Sequence, residues 1–161
     1  TRQIAPTSTS TYLHDLLAIS LPGLFVLALV SQVTIGVDPW FEPRYLVPLA
    51  GMIFSGSMNA VSLAGERAQA EASRGVGFLE TRRIALQAAL IPITNSLFAV
   101  GLVALPGMMT GQILSGVSPL VAAKYQIVVM LMLFGVAGLS APAFVLLQRP
   151  ALAAAAEHAS P

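Results

Sequence analysis

The residues best suited to contact a solute lie in one uncharged segment, 106–118, that proline and glycine interrupt. Four of its side chains offer soft sulfur or neutral oxygen: Met108, Met109, Thr110 and Gln112. Pro106, the glycines of the segment and Pro119 directly after it exclude one straight helix. We therefore predict a broken or re-entrant hairpin over 106–112, because irregular backbone at membrane depth is tolerated only where protein or a cavity encloses it. Thioethers also bind soft metal ions, but neighbouring methionines more often fill space, so we assign no metal site.

A second group of polar residues lies inside apolar stretches. Asn59 and Asn95 each bring an amide into such a stretch, and Ser96 follows directly. An unpaired amide is costly in hydrocarbon, so we predict that Asn59 pairs with Asn95. Asn59 also belongs to a stripe of small or polar residues at helical spacing: Gly51, Ser55, Asn59 and Ser62. The stripe favours close packing on another helix; the alternative is a polar strip that faces a substrate path.

Residue types that carry out catalysis are sparse. The sequence has no cysteine, and its two histidines, His14 and His158, lie near opposite ends. The run Gly75-Val76-Gly77 lacks the Gly-Lys-Ser/Thr that completes a phosphate-binding loop. We expect no catalytic residues, no enzyme activity and no cofactor bound by this chain. The net charge of +1 argues against nucleic-acid binding, which requires a basic patch.

Long uncharged runs predict the fold class. Hydrophobic residues make up 56% of the chain and charged residues 9%, against roughly 25% charged in soluble domains. Asp, Glu, Lys and Arg are absent from 16–37, 45–65, 84–123 and 125–148, and a helix needs about 20 residues to cross a bilayer. We predict an all-α membrane bundle in one domain, 1–161, with transmembrane helices over about 12–36, 45–64, 84–105 and 119–148. The rest is a polar loop, 66–83, and flexible ends, 1–10 and 150–161.

Arginine placement predicts the orientation of the bundle. Loop 66–83 contains Arg67, Arg74, Arg82 and Arg83, whereas the turn 38–44 contains only Arg44 and the segment 106–118 contains none. Cytoplasmic loops carry an excess of lysine and arginine. We therefore expect loop 66–83 and both ends of the chain in the cytoplasm, and both short turns outside. A bacterial inner membrane is the expected location.

Several runs of residues are similar to one transport family. They are VPLAGMI at 47–53, MNA at 58–60, AALIPITNS at 88–96, VGLVALPGMMTGQIL at 100–114, Pro119 and KYQI at 124–127. On these runs the chain resembles the permease family of the bacterial iron-export ABC transporter membrane subunit. The same family includes plant aluminium-tolerance and UDP-glucose transporter relatives. The resemblance covers about 45–148.

The resemblance implies a seven-helix permease that exports iron or a related solute. The implied partners are a separate subunit that binds ATP, a second permease copy in a homodimer, and the lipid bilayer. Only the last four helices would be present, so we expect a fragment or a processed product. The substrate path would include Asn59, Asn95, Ser96, Met108, Met109, Thr110 and Gln112.

Family members also carry a cytoplasmic segment that resembles the Glu-Ala-Ala coupling motif of ABC importers. Its counterpart here would be Glu71, Ala72, Arg74 and Gly77. However, the stretch 65–85 is shorter than the family pattern and lacks its Gly-Ala-Thr/Ser-Pro step. Two functions therefore stay open. A working permease needs a surface in 66–83 that holds an ATPase, whereas a degenerate relative with a structural or regulatory role in the membrane does not.

Overall fold

The computed structural model describes residues 9–35, 42–100 and 107–159. The helices are α1 (Thr9–Ala28, continued by the π-helix Leu29–Ile35), α2 (Pro43–Ala72), α3 (Phe78–Ala99), α4 (Gly107–Leu114), α5 (Pro119–Leu147) and α6 (Arg149–Ala159). The predicted all-α class is confirmed.

α1 contains a proline and a glycine at the point where it meets α2. Pro22 lacks the backbone N–H of an ordinary helical residue. Next to it, Gly23 lies under the ring of Phe54, and a Cβ at this position would be 2.7 Å from Cε1 of that ring. A larger residue here would have to displace Phe54, so the absence of a side chain sets how closely α1 and α2 approach.

α2 is longer than the sequence analysis predicted, and it takes in the first part of the expected polar loop. It runs on from the predicted end near residue 64 to Ala72, and α3 already begins at Phe78. The prediction of a loop over 66–83 is therefore wrong: only residues 73–77 lie between the two helices. After Gly65, the added turns consist of Ala, Glu, Gln and Arg, all favourable in helices. We call residues 73–77 the elbow.

The expected hairpin over 106–112 is helical from Gly107 onward. Residues Gly107–Leu114 form α4, a short helix that a turn separates from α5. Pro106 and residues 101–105, the end of the predicted third helix, lie outside the described residues. The break between α4 and α5 agrees with the prediction that no straight helix crosses this region, while its re-entrant character stays a prediction.

α5 begins where the sequence indicates, and the chain does not end in an isolated tail. Ser118 caps α5 by accepting a hydrogen bond from the N–H of Val121 at 3.4 Å, with Pro119 in the first turn. After Gln148 the chain enters α6, and Leu152 on this helix is buried in the core. The prediction of a flexible end from residue 150 is wrong for 150–159, because alanine favours helix and Leu152 supplies an apolar anchor.

α2 and α5 run side by side in the same direction at the centre of the bundle. Gly56 lies against Leu133, and further along Gly65 lies against Phe144. α1 and α3 run the opposite way and both contact α2 and α5. The ends of α2 and α5, the start of α3 and all of α6 therefore meet at one end of the bundle.

Within the described residues, three helices are long and apolar enough to cross a membrane: Tyr12–Val33, Leu46–Ala72 and Pro119–Leu147. Much of their apolar surface faces outward, with Leu21 and Phe25 of α1 63% and 60% exposed, as a lipid-facing helix requires. The expected fourth span is not confirmed. α3 carries Glu80, Arg82 and Arg83 near its start, and its described part ends at Ala99.

Candidate functional site

One cleft, of about 340 Å³, lies between α2, α3 and α5. Its polar lining comes from Ser55 and Asn59 of α2 and Ser96 of α3. The other lining residues are apolar: Met52, Gly56, Ala60, Leu63, Ala89, Pro92, Ile93, Leu133 and Ala137. The space exists because small residues on all three helices do not fill it. We call it the Asn59 cleft.

The predicted pair of amides does not form in this cleft. Asn95 is exposed and does not line it, and no hydrogen bond between described residues joins Asn95 to Asn59. Ser96, the next residue, does line the cleft, and its hydroxyl donates to the carbonyl oxygen of Pro92 at 2.9 Å. The cleft thus contains Asn59 and Ser96 of the predicted path.

The predicted packing stripe on α2 makes no close helix contact in the described bundle, although two of its members, Ser55 and Asn59, line the Asn59 cleft. Gly51, Ser55, Asn59 and Ser62 are all exposed, and a Cβ on Gly51 would have no neighbour within 4 Å. The prediction that they pack against another helix is therefore wrong within the described bundle. The buried face of α2 is instead formed by Ile53, Ser57, Ala60, Ala64 and Ala68.

A second cleft, of about 550 Å³, lies between α4 and the N-terminal parts of α2 and α5. Met52, Met108, Gln112 and Tyr125 line it, together with Pro48, Leu49, Gly111, Ser115, Val117, Val128 and Val129. Met52 also lines the Asn59 cleft, so one side chain lies at both sites. We call this second space the Gln112 cleft.

The short helix α4 divides the predicted solute-binding residues into two groups. Met108 and Gln112 line the Gln112 cleft, whereas Met109 and Thr110 are half-buried and do not. The Oε1 atom of Gln112 is buried and has no hydrogen-bond partner among the described residues. No charged side chain lines either cleft in the described part of the chain. The chemistry that the clefts offer is therefore that of neutral oxygen and thioether sulfur.

The predicted coupling residues sit at the elbow, but they are not equally accessible. Glu71 is 3% exposed and Ala72 is 1% exposed, while Arg74 and Gly77 are on the surface. The carboxylate of Glu71 lies 2.7 Å from Nη2 of Arg67 and 3.6 Å from Nη1 of Arg74. Glu71 therefore braces the elbow from inside, and the surface there is formed by other exposed side chains, including Ser73, Arg74 and Leu79.

Hydrogen bonds and one glycine fix the shape of the elbow. Gly75 has φ +76°, a left-handed conformation that side chains other than glycine rarely adopt. The N–H of Val76 donates to the carbonyl oxygen of Glu71 at 3.2 Å. The buried hydroxyl of Thr81 donates to the carbonyl oxygen of Val76 at 3.0 Å. The guanidinium of Arg149 lies 5.4 Å from the centre of the Phe78 ring, which joins α6 to the start of α3.

The sequence matches one family model, described as "Uncharacterised protein family (UPF0014)", over residues 2–82 and 72–152. The chain belongs to this family. The two matched stretches overlap at 72–82, which contain the elbow. Three of the matched relatives are described as UPF0014 membrane proteins, and three helices among the described residues are apolar enough to span a membrane. The chain is thus a membrane protein of the UPF0014 family.

Relatives of this UPF0014 chain occur in bacteria and plants. It is 38% identical over 148 residues to "UPF0014 membrane protein slr1647" of Synechocystis, with 81% of this chain and 56% of the relative covered. It is 39% identical over 115 residues to "Probable iron export permease protein FetB" of Escherichia coli, with 62% of this chain and 44% of the relative covered. It is 35% identical over 138 residues to "Protein ALUMINUM SENSITIVE 3" of Arabidopsis thaliana, covering 73% and 50%.

These alignments confirm the family resemblance seen in the sequence, and they cover only part of each relative. The chain spans about half the length of the curated relatives that it matches. No solved structure matches it significantly.

Two features of the clefts and elbow were not found from the sequence. Met52 lies 56 residues before Met108, and only the packing of α2, α4 and α5 brings both to one cleft. The burial of Glu71 was also missed, although arginines three residues after it and four before it are the spacing of helical ion pairs. That spacing was the available signal.

Proposed function

We propose that this chain is a membrane-spanning permease part of an ABC transporter, which exports iron or a related solute when a separate subunit hydrolyses ATP. One observation carries the proposal. At one end of the bundle the elbow is a short, internally braced turn that leaves Arg74, Arg82 and Arg83 exposed. A rigid basic surface on the ends of two long helices can pass movement of a bound partner to the clefts between those helices.

The name of one matched relative also supports a transport function. The Escherichia coli relative is called a probable iron export permease, and the chain is similar to it over 115 residues. The two clefts support a solute path, since both are uncharged and Met52 borders both. A solute that left one cleft could reach the other by passing this side chain. A second permease copy in the working assembly is part of the proposal.

The alternative is a structural or regulatory membrane subunit that no longer couples to an ATPase. The short elbow favours this second function, because only five residues separate α2 from α3 and two of the predicted coupling residues, Glu71 and Ala72, are buried. A partner would have to bind without contacting either of these two buried residues.

The test uses the full chain reconstituted in lipid with an ATP-binding protein encoded beside it. Under the permease proposal, the chain raises the ATPase rate of that protein. The double variant Arg82→Glu and Arg83→Glu should lose the increase, because both side chains are exposed near the start of α3, beside the elbow, and neither pairs with the buried Glu71. Glu71 is left unchanged, since its burial makes any replacement a test of folding. The matched control is Lys124→Glu, an exposed charge near the start of α5 at the opposite end.

An equal loss in Lys124→Glu would show a general effect of charge and would count against docking at the elbow. Absence of any complex or stimulated ATPase with the unaltered chain would favour the structural alternative.

A further inference from the structure

The Gln112 cleft brings together two thioether groups that are far apart in the sequence. Met52 comes from α2 and Met108 from α4, and both side chains line the same space. Met108 is 41% exposed, so it is not filler in a packed core. Thioether sulfur is a soft ligand that prefers soft ions such as Cu(I). A cleft with two such groups has a donor set that an ordinary apolar cavity of leucine and valine does not have.

A third residue of this cleft carries an oxygen atom without a hydrogen-bond partner in the described part of the chain. Oε1 of Gln112 is buried without a hydrogen-bond partner among the described residues, and Gln112 lines the cleft. An unsatisfied buried acceptor carries a desolvation cost of about 1–3 kcal/mol. A bound cation would remove that cost by accepting the lone pair of the oxygen. The orphaned atom therefore indicates a positively charged or donor group as the missing neighbour.

The lining also decides which cations would be accepted. No Asp, Glu or His lines the cleft, and the described residues contain no group of three such side chains. Hard ions with two or three charges, including Fe(III), bind through anionic oxygen, which is missing here. The cost of removing an ion from water also rises steeply with its charge, so neutral donors suit a single charge best.

We propose that the Gln112 cleft binds a soft monovalent cation of the Cu(I) class through the sulfur atoms of Met52 and Met108 and Oε1 of Gln112. The proposal names a solute class for the proposed permease, and it rests on that function only for the step of transport. Binding itself needs only the cleft. Because Met52 also borders the Asn59 cleft, the same sulfur can pass the ion onward.

Silver(I) is the probe, since it has the coordination preference of Cu(I) without its oxidation. The full chain, labelled with ¹³C at the methionine methyl groups, is placed in lipid nanodiscs in a buffer free of chloride and titrated with silver nitrate. The methyl signals of Met52 and Met108 should move and then saturate. Met130 and Met132 are internal controls, because both are buried in α5 and line neither cleft. Met58 is a control for an exposed single thioether.

Two variants separate the site from unspecific binding. The double variant Met52→Leu and Met108→Leu keeps the side-chain volume and removes both sulfur atoms, and it should weaken silver binding about tenfold or more, which is at least 1.4 kcal/mol. Gly111→Leu keeps all three ligands but fills the cleft. Gly111 lines this space, and a Cβ there would meet no atom within 4 Å. It should lower affinity without unfolding the chain.

Equal shifts at Met58, Met108 and Met109 would overturn the proposal, because they would show silver binding at any reachable thioether. Unchanged affinity in the Leu double variant would overturn it as well. Saturable binding without ATP-driven silver transport in the reconstituted complex would support the site and count against the permease function. Transport of iron without silver binding would support the permease function and count against the proposed binding site.

Discussion

The hydroxyl oxygens of Ser57 and Ser140 lie 2.6 Å apart between α2 and α5, and both side chains are completely buried. Ser57 also lies 3.4 Å from the carbonyl oxygen of Ile19 on α1. Three helices therefore meet at one buried polar contact. Because α2 and α5 run in the same direction, this contact also fixes how far one is shifted along the other.

This contact predicts non-additive effects of serine replacement. Ser57→Ala should lower stability by about 0.5–2 kcal/mol, because the hydroxyl of Ser140 loses its partner. Ser140→Ala should cost less, because the hydroxyl of Ser57 can still donate to the carbonyl oxygen of Ile19. The double variant should lose less than the sum, since no unpaired hydroxyl is left. Thermal unfolding in one detergent measures the effect, with Ser55→Ala, on the exposed face of α2, as the control. Additive losses would show that the two hydroxyl groups are independent.

Two glycines of α2 should respond in opposite ways to a larger side chain. A Cβ on Gly65 would lie 3.1 Å from Cζ of Phe144, whereas one on Gly51 would meet nothing within 4 Å. Gly65→Leu should destabilise the bundle by about 1–3 kcal/mol through overpacking. Gly51→Leu should be neutral or stabilising by up to about 1 kcal/mol, because glycine is unfavourable in a helix interior. Equal losses would indicate that another chain covers Gly51.

These two glycines also show why the sequence predicted the wrong face of α2. The stripe of Gly51, Ser55 and Asn59 has helical spacing. A second run, Ser57, Ala60 and Ala64, has helical spacing too, and its first member lies two residues after Ser55. Both consist of small residues, and a shift of two residues turns a helix by about 200°. Residue type alone could not decide which stripe packs inside. The structure shows that the second does, with Ser57, Ala60 and Ala64 buried.

The apolar parts of the helices were predictable, whereas their charged ends were not. Uncharged runs located α1, α2 and α5 well, because long apolar segments in a membrane protein are helical. Charge was taken as a sign of loop at 66–83, although helices continue beyond the bilayer when their residues favour helix. The two clefts depend on contacts between distant helices, so the sequence suggested Met108 and Gln112 but did not place Met52 beside them.

Orientation gives the next prediction, which follows from the arginine count and from the position of the elbow. The natural sequence has no cysteine, so single cysteines can be introduced cleanly. In intact cells, an impermeant maleimide applied from outside should label Ser115→Cys, which lines the Gln112 cleft, and spare Ser73→Cys at the exposed elbow. Permeabilised cells provide the control, in which both should react. Labelling of Ser73→Cys alone in intact cells would invert the proposed orientation.

α6 should contribute to stability through one residue. Leu152 is 6% exposed and belongs to the core cluster at the elbow end. Leu152→Ala should lower the free energy of unfolding by about 2–4 kcal/mol, the usual cost of a core cavity. Leu146→Ala on α5 is the matched control, because that leucine is 54% exposed. A similar small effect in both variants would mean that α6 does not anchor the bundle.

The last prediction compares two ion pairs near the elbow that differ in burial. Glu71 is almost completely buried and lies 2.7 Å from Arg67, while Glu80 and Arg83 are both exposed at 3.5 Å. Arg67→Ala leaves the buried carboxylate with only the longer contact to Arg74, so stability should fall by roughly 1–3 kcal/mol, below the full cost of an unpaired buried charge. Arg83→Ala should cost less than about 0.5 kcal/mol, because water screens an exposed pair.

Thermal unfolding at low and high salt checks this difference. The Arg83 variant should become indistinguishable from the unaltered chain in high salt, while the loss in the Arg67 variant should persist, since a buried pair is screened much less. Glu71→Gln adds a second check: it removes the charge and keeps the shape, and it should partly restore stability in the Arg67→Ala background. If Arg67→Ala and Arg83→Ala behaved alike, the carboxylate of Glu71 would have to reach water, and it could not brace the elbow from inside.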